Sequence, residues 1–189
     1  MERTDPRERY DDLVASAERH EVGPDEFDEL REAEVFDSGW GVAGVVFDDT
    51  QRDSVTRTSS VDEGAHVLAI RNEAYETEWT LPGGAVEPGE ALGDAVVREV
   101  REETGVEVEP VRPLGVDESV VVCGDRRVEM RFVHFLCRAV DPAVSEGGDL
   151  GDPDEEILEA RWLDSLPDDV FNPEHTRDVY EFALELFVE

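Results

Sequence analysis

Hydrophobic and polar positions along this chain change period several times, and each change marks an element. Tyr10, Leu13, Val14 and Ala17 recur at i, i+3, i+4 and i+7, which predicts one helix face near the N-terminus. Gly23-Pro24 breaks that pattern, and Asp25 offers a cap for a second short helix through Phe27, Leu30 and Arg31. Residues 1–38 therefore read as a helical N-terminal extension. It has two places to pack, the main domain or the second subunit of a homodimer, and the residues alone leave both open. Gly39 opens a different texture. Trp40 to Phe47 is a Val-rich strand, and Ala65 to Arg71 is another, beyond a polar stretch from Asp48 to Gly64. Leu114 to Val122 and Val128 to Val140 read as two joined strands. In the second, Val128, Met130, Phe132, His134 and Leu136 alternate with Glu129, Arg131 and Val133. Ala160 to Leu163 is a short strand, and Glu174 to Phe187 an amphipathic helix with Val179, Phe182, Ala183 and Leu186 inward. Ala91 to Thr104 is rich in helix formers and ends at Gly105, a residue suited to stop a helix. Strands flanking two separated helices predict a single α/β layered domain with a mixed sheet over residues 39–189.

Charge narrows the picture. Fifty acidic residues against seventeen basic ones give a net charge of −33, and every basic residue is an arginine. A GC-rich genome accounts for arginine in place of lysine, but not for the loss of positive charge. The surplus of carboxylates resembles the proteins of salt-accumulating halophiles, whose self-repulsion is tolerable because molar salt cuts the Debye length to about 3 Å. No basic footprint for a nucleic-acid duplex is visible. No apolar run approaches the roughly 20 residues of a membrane span, and Met1 to Pro6 carries no secretory signature. With a turn near Asp125, Cys123 falls opposite Arg127 and Cys137 far down the ladder, so the two read as reduced thiols of a cytoplasmic protein.

The chemistry concentrates in Leu81-Pro82-Gly83-Gly84, Glu87-Pro88-Gly89-Glu90 and Arg98-Glu99-Val100-Arg101-Glu102-Glu103-Thr104-Gly105-Val106. At about 100° per residue, Glu99 and Glu103 fall within about 20° of Leu92, and Glu102 about 80° to one side. The three carboxylates therefore overlap the apolar face of Ala95, Val96, Val97 and Val100, while Arg98, Arg101 and Asp94 point away. Carboxylates at a core edge repel and lose hydration unless a cation offsets them. Hard oxygen ligands on a rigid helix suit Mg²⁺ or Mn²⁺. On periodicity alone, a solvated acidic face and a metal site both stay open.

The spacing itself is more specific. Gly84, five residues, Glu90, seven residues, Arg98-Glu99-Val100, one residue, Glu102-Glu103, one residue, Gly105-Val106 resembles the full signature of the Nudix hydrolases. Trp79 before the Gly-rich turn and Glu159-Ala160-Arg161-Trp162-Leu163 extend the resemblance from Gly39 onward; residues 1–38 fall outside it. The resemblance implies an α/β/α sandwich and hydrolysis of a nucleoside diphosphate linked to another group, by water attack on phosphorus. It implies Glu99, Glu102 and Glu103 as Mg²⁺ (or Mn²⁺) ligands, the Gly83 carbonyl as a fourth, and an Arg98–Glu90 ion pair that fixes the helix to its loop. Glu99 is the favoured base or base-assisting ligand. A glutamate from a downstream loop is the alternative, with Glu155 weighted over Glu156.

Weaker candidates stand beside these. Arg71 reads equally as a phosphate ligand or a surface ion-pair partner. Tyr75 could stack on a base, although packing on Trp79 is the simpler reading. His134 reads as a core histidine, while His20, His66 and His175 carry no ligand spacing. The expected partner is a nucleotide diphosphate derivative, with neither duplex nor membrane. A non-catalytic nucleotide-sensing Nudix module is one alternative. An isoprenoid diphosphate isomerase is another, but it needs a cysteine near the box. The charge balance gives a first prediction. Folding and activity collapse below a few hundred millimolar salt, read by circular dichroism and turnover across a KCl series; full activity in dilute buffer would assign the acidity to compositional drift.

Overall fold

The Val-rich run at residues 40–47 does not alternate because both of its sides are buried. In the computed structural model, which describes residues 4–33, 35–48, 66–145, 150–151 and 156–188, it forms the strand β2 (Trp40–Asp48), buried at every position. Val42 and Val46 face one layer, while Ala43, Val45 and Phe47 face the other. Burying such a side chain is worth roughly 1.5–3 kcal/mol, so a strand between two layers gains from apolar residues at every position.

Around β2 the chain runs β1 (Val14–Glu21), α1 (Pro24–Leu30), α2 (Val35–Ser38), β2, β3 (His66–Asn72), β4 (Gly83–Ala85) and α3 (Leu92–Thr104). It continues through β5 (Glu107–Cys123), β6 (Arg126–Asp141), β7 (Ile157–Leu163) and α4 (Pro173–Val188). The sheet order is β1-β5-β6-β2-β3-β7, with β4 added on β2. β1/β5 and β6/β2 are parallel and the other pairs antiparallel, so the sheet is mixed. Ala95, Val96 and Val100 of α3 pack on one face with Val42, Val46 and Leu68. Val179, Ala183 and Phe187 of α4 pack on the other with Val45, Phe47 and Val67. This is the α/β/α sandwich expected. The β5–β6 hairpin turns at Gly124-Asp125, which puts Cys123 opposite Arg126, one residue from the expected partner; both cysteines are free.

The N-terminal segment corrects the helix expected over residues 10–17. Val14–Glu21 is a strand lying parallel to β5, with Val14 opposite Gly115. Leu13 packs toward the α3 layer and Val14 toward the α4 layer, an alternation of two that a four-residue helical match conceals. The open edge of β5 supplies a row of backbone partners, and that long-range pairing overrides local propensity. The second helix forms, but Gly23, not Asp25, is its N-cap, with Pro24 in its first turn. Arginines staple the segment to the sheet. Arg126 lies 4.6 Å over Phe27 and pairs with Asp28 at 2.7 Å, and Arg112 lies 5.0 Å over Tyr10 and pairs with Asp12 at 2.6 Å.

Under α4 lies a polar chain that joins three strands to the helix. Ser16 Oγ donates to Asp117 Oδ1 (2.6 Å) and lies 3.0 Å from His175 Nδ1, and His175 Nε2 lies 3.3 Å from His134 Nδ1. Because the serine proton goes to Asp117, His175 donates through Nδ1 to Ser16 and accepts His134 Nδ1–H at Nε2. His134 is the core histidine expected. Burial, and secondarily the neighbouring His175, push its pKa down to about 3. Burial lowers His175 as well, against the raising pull of Asp117 and Asp178. Below about pH 6.5 an unfolded histidine takes up a proton that folded His134 refuses. The contribution is therefore complete above about pH 6.5 and is lost as pH falls toward about 3. At about 1.4 kcal/mol per pH unit per proton, acidification from pH 6.5 to 5 costs about 2 kcal/mol through His134 alone. Denaturant melts over that range should show this slope, and His134→Gln should flatten it; an unchanged slope would exclude His134 as its source.

Candidate active site

Three glutamates share one edge of α3 because they stand at i, i+3 and i+4, and the Gly-rich turn before the helix folds back against two of them, Glu99 and Glu103. β4 pairs antiparallel with β2, with Gly83 opposite Ala43 and Gly84 opposite Val42. Gly44 N–H donates to the Pro82 carbonyl at 2.8 Å, which fixes where the turn enters. A side chain at Gly84 would place its Cβ 2.7 Å from Glu99 Oε2 and 2.8 Å from Oε1. A larger residue here would push the Glu99 carboxylate aside, whereas at Gly83 a Cβ would meet the Val42 carbonyl and Ala43 Cα of β2, so that position admits only glycine. Glu103 is 1% exposed, and its Oε2 accepts the Gly83 N–H at 2.6 Å. Glu99 is 6% exposed and the Glu102 side chain 30%. The far end of the helix stops at Gly105, whose φ of 75° is left-handed and whose N–H caps the Arg101 carbonyl.

Arg98 ties loop and helix together. Its Nε and Nη2 donate to the two oxygens of Glu90, each at 3.0 Å, and Nη2 also donates to the Ala85 carbonyl at 2.9 Å. Nη1 donates to Glu99 Oε1 at 2.9 Å and to Glu102 Oε2 at 3.0 Å. Its pKa is raised, first by the hydrogen bond to Glu90, against burial, and then by the charge of Glu99. The expected Arg98–Glu90 pair is present. A helical wheel points Arg98 away from the carboxylates, yet its long side chain curls back along the loop and reaches two of them as well. Glu90 is held in turn by the Glu87 N–H, which donates to Oε2 at 3.0 Å.

These bonds decide how the carboxylates stand. Among the described residues no three acidic, histidine or cysteine groups are assembled around a common cation position. Glu99 and Glu102 share the Arg98 guanidinium, and Glu103 is turned onto Gly83. The donor set nonetheless fits a hard divalent cation: three carboxylates and a backbone carbonyl, with Gly84 keeping the Glu99 carboxylate clear of a side chain.

The other expected residues fall in two places. Glu155 lies outside the described residues. Glu156 is exposed, with its carbonyl accepting the Glu73 N–H at 3.2 Å. Its loop touches the box, since Gly151 N–H donates to the Glu102 carbonyl at 2.8 Å and Ser145 N–H to the Thr104 carbonyl at 3.0 Å. Arg71 and Tyr75 stand together on the β3 side. Arg71 makes a long contact to Asp169 (3.4 Å) and lies over Trp79. Tyr75 packs on Phe171, with ring centroids 4.4 Å apart, rather than on Trp79, which two arginines cover. Sequence reasoning missed Phe171 and Arg161; the Trp79–Val170 bridge that brings Phe171 here joins segments far apart in the chain. Neither cysteine serves the isomerase alternative. Cys123 sits at the β5–β6 turn, and Cys137 is buried, its thiol pushed up to about 12 by burial.

The match to a domain family is direct. Residues 38–173 fit the NUDIX domain model, and the chain belongs to that family. Among its curated relatives are proteins named as a phosphatase, a phosphohydrolase and a mutator protein. The 8-oxo-dGDP phosphatase NUDT18 of Mus musculus is 37% identical over 111 residues, 57% of this chain and 31% of that protein. Diphosphoinositol polyphosphate phosphohydrolase 2 of Homo sapiens is 43% identical over 63 residues, 33% of each chain. The putative mutator protein MutT4 of Mycobacterium tuberculosis (strain CDC 1551 / Oshkosh) is 36% identical over 85 residues, 45% of this chain and 32% of that protein. The matched part thus spans about a third of each relative. Among solved structures, an ADP-ribose pyrophosphatase from Streptococcus suis shares the fold at a TM-score of 0.50 and 20% identity, over 79% of this chain and 92% of that one. The Escherichia coli dihydroneopterin triphosphate pyrophosphohydrolase does so at 0.51 and 15%, over 78% and 96%.

Removing the one cation that holds this edge together has a measurable consequence. In metal-free protein, Arg98→Met should destabilise the fold by about 1–3 kcal/mol, because it removes the guanidinium that Glu90, Glu99 and Glu102 share. Added Mg²⁺ should restore part of that loss in the variant. A wild-type-like melting curve in chelator would mean the carboxylates do not depend on Arg98.

Proposed function

We propose that this Nudix domain hydrolyses a nucleoside diphosphate linked to another moiety, with a divalent cation at the α3 edge. The observation that supports the reading is that Glu99 and Glu103 lie against the Gly83-Gly84 turn, with Glu102 beside Glu99 on the Arg98 guanidinium, inside a complete box. Glu99, Glu102 and Glu103, with the Gly83 carbonyl, would hold Mg²⁺ or Mn²⁺. Such an ion, when bound, supplies positive charge for the diphosphate and acidifies an attacking water. The chain's own groups do the rest. Glu99, tied through Arg98 to the loop, accepts the proton of the water, with Glu155 as the alternative acceptor. Arg98 holds Glu90 and keeps the loop registered against the helix whether or not it also contacts Glu99 and Glu102. On the substrate side Arg71 offers a guanidinium to a phosphate, and its exposed pairing with Asp169 is weak enough to exchange.

A panel of nucleoside diphosphate derivatives assayed with Mg²⁺ in molar KCl tests the reading; binding without turnover of any member would favour a nucleotide sensor. Glu102→Gln should abolish metal-dependent turnover, at least about a hundredfold, with the melting temperature retained. An active variant would place the cation elsewhere.

A further inference from the structure

The N-terminal segment precedes the stretch that fits the family model, residues 38–173, yet it meets the sheet on a row that ends at the Gly-rich turn. Ala17 of β1 stands opposite Glu118 of β5, Glu118 opposite Arg131 of β6, and Arg131 opposite Trp40 of β2. The Trp40 carbonyl then accepts the N–H of Val86, the residue after β4, at 3.0 Å. Residues directly opposite in a sheet point to one face, so Glu118, Arg131 and Trp40 stand side by side. At about 4.8 Å per strand, Glu118 and Trp40 are about 10 Å apart.

The N-terminus closes the outer end of this row. A short 3-10 turn, Pro6–Glu8, lies against β5, with Pro6 buried and Asp5 as its cap. Arg7 Nη2 pairs with Asp5 Oδ2 at 2.7 Å and with Glu118 Oε2 at 3.0 Å. Arg131 Nε pairs with the same two oxygens, at 3.6 and 3.1 Å. Two arginines and two carboxylates thus close a ring in which each charge meets two of opposite sign. Hydrogen bonds from Arg7 hold both carboxyls below their ordinary pKa, against burial. The four side chains are 18–37% exposed, so salt screens them less than it screens a fully exposed pair.

The inner end of the row is close-packed. Arg131 Cζ lies 5.4 Å from the centroid of the Trp40 ring, and Trp40 packs in one cluster with Val86, Val96 and Val100. One residue along, Phe132 stands opposite Gly41, and Gly41 opposite Ala85 of β4. A Cβ at Gly41 would run into the Phe132 ring, so that ring rests on bare backbone behind β4. Ser38 Oγ donates to the Trp40 carbonyl at 3.1 Å and accepts the Trp40 N–H at 3.2 Å. Trp40 is held on both its ring and its backbone, and it carries the turn that Arg98 grips through the Ala85 carbonyl at 2.9 Å.

From this we infer that Arg131 is a positioning residue for the Gly-rich turn, and that the N-terminal turn, through Asp5 and Arg7, sets Arg131. Packed side chains and ion-pair networks carry coupling between distant groups, and both kinds of link run here from Asp5 to Val86 without a break. Released from Asp5 and Glu118, the long Arg131 side chain would leave the Trp40 face for water. The indole would then be uncovered, and its backbone freer to part from Val86. Asp5 and Arg7 lie outside the matched domain, so this support belongs to this chain and not to the box signature. It is independent of the hydrolase reading, and only its effect on a cation at the box rests on that reading.

Amide hydrogen exchange in the metal-free full chain, read by NMR in molar KCl, tests this at Val86, with Val179 of α4 as the reference. Arg131→Gln should speed exchange at Val86 about tenfold, and Arg7→Gln about fivefold, with Val179 unchanged. Asp12→Asn removes the Arg112 staple of the same segment but no member of the ring, and should leave Val86 unchanged. Mg²⁺ affinity by calorimetry should fall about fivefold in Arg131→Gln and stay constant in Asp12→Asn. Exchange at Val86 that keeps its wild-type rate in Arg131→Gln or Arg7→Gln overturns the support. So does an equal rise at Val86 and Val179, or a rise as large in Asp12→Asn. If the wild-type chain binds no Mg²⁺ while Val86 still responds, the support stands and the hydrolase reading falls. Mg²⁺-dependent turnover of a nucleotide, with Val86 unmoved by Arg131→Gln, does the reverse.

Discussion

One guanidinium holds α3 and the loop before it in place. Arg98 reaches from the middle of α3 to Glu90 and the Ala85 carbonyl on the preceding loop, and along its own helix to Glu99 and Glu102. Its planar fork makes this reach productive, because two nitrogens take both oxygens of Glu90 while the third serves the helix. A lysine ammonium could not divide itself in this way. With Arg98 in place the loop lies close enough for Glu103 to accept the Gly83 N–H, and at Gly83 the backbone of β2 leaves no room for a side chain. The close approach of Glu99 and Glu102 to an apolar layer, otherwise costly, is thus offset by a cation built into the chain, while Glu103 is met by the Gly83 N–H.

The remainder of the fold supplies the platform for that edge. β2 is buried in both layers and carries β4 at one end and β3 at the other, so the box and the Arg71–Trp79 region are fixed to one strand. α3 is pressed onto this strand through Val96 and Val100, and α4 onto the opposite face through Val179 and Ala183. Arginine recurs as the joining residue throughout, over Trp79, Phe27, Tyr10 and Trp40. In a chain without lysine, the same residue type serves ion pairs and aromatic faces together.

Much of this is legible in the order of residues. The box glutamates, their arginine and the flanking glycines stand at fixed spacing because helix pitch and turn geometry are local, and local geometry is written in local sequence. The α3 and α4 helices, and the alternation of β6, were readable for the same reason. The Arg98–Glu90 pair was implied by the family pattern. Its extension to Glu99 and Glu102 was not, because a helical wheel carries no information about the length and bend of a side chain.

The chain by itself determined the class of domain, the three glutamates at one helix edge and the acidic, lysine-free surface, since each depends on periodicity or composition. Tertiary structure decided the rest. Val14–Glu21 became a strand because β5 presents an open edge about a hundred residues away, where Val14 meets Gly115. Phe171 reached Tyr75 because Trp79 pairs with Val170. His134 and His175 met through α4 packing; the strand alternation marked His134 as a core residue, but nothing in the spacing pointed to His175 as its partner. Contacts such as these are set by which edges and faces remain open once the sheet has assembled, and no local pattern encodes that.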